Sequence, residues 1–433
     1  MSRRTAPTPF PAAQQAPFEF LPDDAIIPVA RMIPTVLPVH DIPTVDPIVT
    51  VEPVRSSQPL DFSDPALLFV RLLQGFGNFV EWCFGFVALM VGLAFLAAIP
   101  VVQFLTLGYL LEAGGRLART RKFSEAFIGI RVAARLGGIA GACWLFMLPV
   151  RLLADYTYTA SIVDPGGTQT QVWRAGLFTL IVLTGLHLGM AIALGGKLRH
   201  FISPLNGVWL LLRILRGGYY AKARDAVWDT VIGLRLPYYF WLGLRGFAVG
   251  AIWIVLPVSM IAFGRIDNPA MKIIGFIGGG MLIAILPYVP FLQMRMAEHN
   301  RFAEGFNWLE VRRTFRRSPW LHAFAFVITL LFAVPLYLLK IEAVPSEAAW
   351  LPSLLFVSFI FPSKILTGWA LARANRRTEP RHFFFRWTGR LVFWPAAAAY
   401  VVVVFFTQFT SWNGVWSLFE QHAFLVPVPL FKT

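Results

Sequence analysis

Carboxylates and cysteines are scarce in this 433-residue chain. Asp and Glu together number 23 against 38 Lys plus Arg, and the two cysteines are Cys83 and Cys143. Both lie in apolar stretches with no Cys-x-x-Cys spacing. That argues against a disulfide framework or a thiolate metal site and leaves two buried free thiols. No HExxH, GxxxxGKS/T or GxSxG motif is present, and the Gly-Gly-Lys at 195–197 lacks the rest of a phosphate-binding loop. His, Cys and Asp nowhere cluster at metal-ligand spacing. No cofactor and no metal is expected, nor an enzymatic activity. Arg3 and Arg4 are not followed by an apolar run, so the N-terminus does not read as a cleavable signal peptide. Charge is thin overall, at 14% of residues, where soluble domains carry about 25%.

Apolar residues take its place. They make up 57% of the chain, with 40 Phe and 15 Trp, and the mean hydropathy is +0.63. One soluble core cannot absorb that much apolar surface, so the bilayer is the expected solvent. The runs are continuous for about 20 residues rather than alternating, which disfavours a β-barrel. The expected fold is all-α and polytopic, with about eight transmembrane helices at 82–111, 139–160, 173–195, 246–265, 270–292, 320–340, 350–371 and 391–410. The first is long, and Pro100 is a possible break in it. Residues 65–81 read as an amphipathic helix on the membrane surface, entered at Pro65. Residues 1–64 hold twelve prolines and a repeated IPTV. They read as a disordered, extended tail, either a spacer or a docking peptide for a protein partner. Residues 411–433, with Trp412, Trp416 and Phe419, read as an interfacial aromatic belt.

The net charge of +15 is concentrated in connections between spans. Alternate connections, around 112–135, 197–245, 295–317 and 373–390, hold 26 of the 38 basic residues. The opposite loops and the C-terminal tail hold Arg174, Arg265, Lys272, Lys340 and Lys432. This asymmetry places the basic connections in the cytoplasm against anionic headgroups, and makes membrane lipids the expected partners rather than nucleic acid. With eight spans both termini fall outside. If the first region crosses twice, the N-terminal tail is cytoplasmic instead.

The chain also repeats itself. IPVVQFL at 99–105 matches LPYVPFL at 286–292, KFSEAFIGI at 122–130 matches RFAEGFNWL at 301–309, Pro149 matches Pro335, and RHF stands at 199–201 and 381–383. The offsets are 187, 179, 186 and 182 residues. Two halves, 82–266 and 267–410, are therefore expected to be related in parallel, with four spans in each. Phe123, Phe127 and Ile130, and likewise Phe302, Phe306 and Leu309, form an apolar stripe at helical spacing. About 40 extra residues of the first half, around 202–243, interleave aromatics with Arg as a helix at the headgroups would.

FLTLGYLLEAGGRLART followed by F-x-E-x-F resembles uncharacterised bacterial and archaeal integral membrane domains of unknown function. The resemblance covers about 95–155 and, more faintly, 282–340. It implies a multi-pass protein of a bacterial cytoplasmic (inner) membrane and implies no activity.

Ionisable groups inside spans are costly, and each is a candidate for function. Arg151 and Asp155, at i and i+4, can pair and hold a polar substrate, or neutralise each other near an interface. His187 can carry a proton, or hydrogen-bond a neighbouring helix. Lys364 can hold an anion, or snorkel to the headgroups. Glu112 reads as interfacial. Gly137/Gly141 and Gly275/Gly279 are spaced for close helix packing. Two functions compete: a membrane scaffold or accessory subunit, and a transporter or lipid-handling protein built on the parallel repeat.

Overall fold

The computed structural model describes residues 65–196, 198–203, 205–338, 350–410, 414–420 and 422. The Pro-rich tail and most of the C-terminal belt, Trp412 included, lie outside the described residues. Every regular element among the described residues is helical.

α1, Pro65–Ala98, is one continuous helix. The separate surface helix expected at 65–81 is its first part, because nothing in that stretch breaks the backbone hydrogen bonding. The first expected span, 82–111, is not continuous. Pro100 lacks an N–H and Val101 takes a left-handed φ of 69°, so the chain turns at 99–102. α2, Gln103–Thr120, then folds back beside α1, and Thr106 Oγ1 donates to Leu93 O at 2.9 Å.

α3, Ile130–Val163, runs beside α1 in the same direction, its start at Gly85 and its Gly137 on Ala88. α4, Thr168–Ala193, returns along α3, with Trp173 stacked on Tyr156 and His187 beside Phe146. Three short helices follow: α5 Leu198–Ile202, α6 Asn206–Leu215 and α7 Tyr219–Gly233. α8, Leu236–Phe263, runs antiparallel to α2, and α9, Pro269–Ile285, antiparallel to α8. A bend of 45° leads into α10, Val289–His299. α11 Trp308–Arg317 and α12 Pro319–Leu338 carry the chain back. α13, Trp350–Asn375, packs antiparallel on α12 through Thr329–Ser363 and Phe332–Phe359. α14, Phe383–Thr410, runs parallel to α12, with Phe393 on Phe326. A 3-10 turn at Gly414–Trp416 and α15, Ser417–Glu420, follow.

Among the described residues six helical segments are long and apolar enough to cross a membrane, or seven if the bent α9–α10 pair is counted as one span. α2, with 18 residues, and α12, with 20, pack among these longer helices. α2 carries Glu112, Arg116 and Arg119, and fourteen of its eighteen residues are buried. Its neighbours α8, α10 and α13 shelter it. The reversal at 99–102 has a consequence for direction. Trp82 and Phe86 of α1 pack on Phe127, among the basic connections, while Phe95 stacks on Trp350 at the opposite end. α1 therefore starts at the basic end.

The repeated sequences share a local geometry. After α2, Arg121 is left-handed, Lys122 extended and Phe123–Ala126 a 3-10 turn. After α10, Asn300 is left-handed, Arg301 extended and Phe302–Phe306 a 3-10 turn. The stripe expected on one amphipathic α-helix is split: its aromatics fall on or directly after these tight turns, and Ile130 and Leu309 fall in the helices that follow. Phe127 packs on Phe86 and Phe306 on Trp253, whereas Phe123 and Phe302 stay exposed. The elements ahead differ: a reversal before α2 and a bend before α10.

Candidate functional site

α2, α10 and α13 run in the same direction and end together at the basic end. Their backbones approach closely because glycines line the crossings. Gly108 and Gly243 bring α2 against α8, and Gly114 and Gly368 bring α2 against α13. A β-carbon at Gly108 would overlap the Tyr239 carbonyl, and one at Gly368 would overlap the carbonyl of Gly114. Gly in a helix interior costs about 1 kcal/mol relative to Ala, and these close contacts offset it.

Inside this crossing lies a polar pair. Lys364 is 1% exposed, and its Nζ donates to Gln293 Oε1 at 2.9 Å. Gln293, 0% exposed, donates from Nε2 to Gly246 O at 2.8 Å. Among the described residues no carboxylate forms an ion pair with Lys364. Ser363 Oγ and Thr329 Oγ1 hydrogen-bond next to it at 2.7 Å. The expected snorkelling of Lys364 does not occur, because α13 turns this side chain toward α10 rather than along the bundle surface.

Nearer the basic end, Glu112 is the hub of a second cluster. Its Oε1 accepts from Arg116 Nε at 3.0 Å and from Arg119 at 2.6 Å, and its Oε2 accepts from Tyr238 at 2.7 Å. Glu112 is buried, at 2% exposed. Arg119 also donates to the carbonyls of Ala297 and Glu298, at 2.7 and 3.0 Å, and so caps α10. Glu298 Oε1 accepts from Asn375 at the end of α13, and Arg121 and Arg376 donate across the α2–α13 ends. Guanidiniums at the negative ends of three parallel helix dipoles are favourable. Beside them Arg295 pairs with Glu304 at 2.7 Å. Desolvation raises the Glu304 pKa, but the Arg295 hydrogen bond and charge outweigh it and hold the carboxyl below its ordinary value.

The other sequence candidates lie elsewhere. Arg151 and Asp155 are exposed on α3 and form no ion pair among the described residues. His187, on α4, bonds Phe201 O through Nε2 at 2.7 Å. The α3–α4 hairpin packs on the rest chiefly through α1, so these three residues do not converge with Lys364 on one site. Of the spaced glycines, Gly137 and Gly275 sit at close helix contacts, whereas Gly141 and Gly279 face open space. Gln293, Glu112, Arg119 and Tyr238 were not singled out as a site. In the sequence Gln293 and Glu112 signal only as polar residues in apolar surroundings, Arg119 only as one of the basic residues of its connection, and Tyr238 not at all.

At the rim of the basic end the starts of α12 and α14 and the end of α13 enclose a cavity of about 520 Å³. Trp320, Trp369, Arg373, Arg377, Arg381 and Phe385 line it. No group of three or more His, Cys, Asp or Glu among the described residues is placed to hold a metal. Comparison with protein-family models, curated proteins and solved structures finds no match.

Proposed function

We propose that this multi-pass protein is a membrane scaffold or accessory subunit, its basic end in the cytoplasmic headgroup region of a bacterial inner membrane. The close-packed crossing of α2 with α8, α10 and α13 carries the reading: glycine-mediated backbone contacts and arginine-capped helix ends make a rigid frame. The α3–α4 hairpin stands beside that frame with Trp144, Tyr156, Tyr158 and Phe178 exposed on it. In a bilayer such a face meets lipid or the helices of a partner. With the basic end inside, α1 enters from the cytoplasm and α14 leaves on the far side, the arrangement expected if the first region crosses twice. Native mass spectrometry of the gently extracted protein tests the reading. A stoichiometric protein partner supports it. A retained small molecule other than a membrane phospholipid, without a protein partner, supports transport instead, the reading that the buried Lys364–Gln293 pair favours.

A further inference from the structure

We propose that the cavity between α12, α13 and α14 holds the phosphate headgroup of one anionic phospholipid; this rests on the membrane reading above. Arg373, Arg377 and Arg381 come from the last turn of α13 and the connection after it, and they converge on one concave site. Among the described residues none of the three forms an ion pair with a carboxylate. Three like charges on one wall repel one another, and a phosphodiester relieves that repulsion. Guanidiniums suit it because their planar forks bond phosphate oxygens two at a time. Ser318, Pro319, Trp320 and Leu321 at the α11–α12 junction complete this wall, where the α12 N-terminus is offset by the C-terminal ends of α11 and α13, so the arginines carry the attraction.

The remaining wall is apolar. Trp320, Trp369 and Phe385 are each partly exposed, and the Arg381 guanidinium lies 5.5 Å from the Phe385 ring. Charge at one side and indole faces at the other match a headgroup with the start of its acyl chains. A free phosphate ion has no use for the aromatic wall. The volume of about 520 Å³ exceeds what one phosphate needs and suits a glycerophosphate with its first methylenes.

The full-length protein, first shown to float with membranes, is titrated by native mass spectrometry with phosphatidylglycerol and with phosphatidylcholine. One phosphatidylglycerol is expected to be retained at least about tenfold more tightly than phosphatidylcholine, since each arginine near an anionic headgroup is worth roughly fivefold. The triple variant Arg373→Gln, Arg377→Gln, Arg381→Gln is expected to lose that preference. The equally discharged control Arg131→Gln, Arg216→Gln, Arg301→Gln is expected to keep it. Equal loss in both variants overturns the site in favour of diffuse surface charge. Displacement of the lipid by millimolar inorganic phosphate transfers the site to a free anion and overturns the lipid assignment. Should the triple variant misfold, brominated-chain phosphatidylglycerol tests the wild type: weaker quenching of the Trp320→Phe, Trp369→Phe variant supports the site, and unchanged quenching overturns it. Failure to float refutes the membrane reading itself, whereas flotation without the lipid preference refutes only the site.

Discussion

Among the described residues Lys364 is a lysine buried in the helix crossing without a carboxylate partner. Gln293 supplies its one identified hydrogen bond among the described residues. Removing that partner leaves Lys364 uncompensated, so Gln293→Leu alone is expected to lower stability by about 3 kcal/mol. Adding Lys364→Met should recover most of the loss, because replacing a whole buried polar pair with apolar groups is often neutral or stabilising. Thermal unfolding of the four members of this cycle in detergent measures the coupling. Additive losses would show that the pair does not act as one. The Arg295–Glu304 pair makes a pH-dependent contribution. The folded Glu304 pKa lies below the unfolded value of about 4.3, so its contribution is present above that value and lost as pH falls through the folded pKa. Glu304→Gln should melt lower than wild type at pH 7, with the difference closing in acid. A gap that persists at low pH refutes the ion pair as its source.

At the scale of elements, the crossings depend on glycine. Gly108→Leu or Gly368→Leu forces α2 away from α8 or α13, and each is expected to cost about 3 kcal/mol or more. The matched substitution Gly279→Leu, at a position facing open space, should change stability little. Melting temperatures of the purified variants test the contrast, and equal effects at all three positions would contradict the packing. The two helix–turn modules offer a gentler test. Arg121 and Asn300 both take the left-handed conformation that glycine adopts without strain. Asn300→Gly should be nearly neutral as a cap, losing only the bond from Arg245 to Asn300 Oδ1 at 2.7 Å.

For the whole molecule, the reversal at 99–102 decides which end of the bundle α1 starts from. In a Cys83→Ser, Cys143→Ser background, Gly77→Cys and Thr120→Cys should react with an impermeant maleimide from the same side of the membrane. Trp416→Cys should react from the other. Labelling of Gly77→Cys with Trp416→Cys would restore a topology with both termini outside. The frame, the peripheral α3–α4 hairpin and the rim cavity then describe one object: a packed core with an exposed apolar face on the hairpin and a basic end.

The sequence by itself determined the helical class, the membrane-like composition and the segregation of arginine to alternate connections, because hydropathy and charge are additive along a chain. It also marked the module after α2 and α10, since F-x-E-x-F recurs in the same backbone geometry. Of the four polar candidates, Lys364 lies in the buried crossing, whereas Arg151, Asp155 and His187 lie on the peripheral hairpin. Only the tertiary structure decided that, because helix periodicity gives a residue's face and not its neighbour. The same limit hid Gln293, whose Lys364 partner stands 71 residues away, and the Tyr238 hydroxyl on Glu112, 126 residues away, although Arg116 and Arg119 stand within seven residues of that carboxylate. The break at Pro100 was legible, since a proline interrupts a long apolar run, but the left-handed Val101 that completes the reversal was not. Hydropathy sums cannot register a change of direction that leaves composition unaltered. Packing against α8, α10 and α13 makes that change worth its strain.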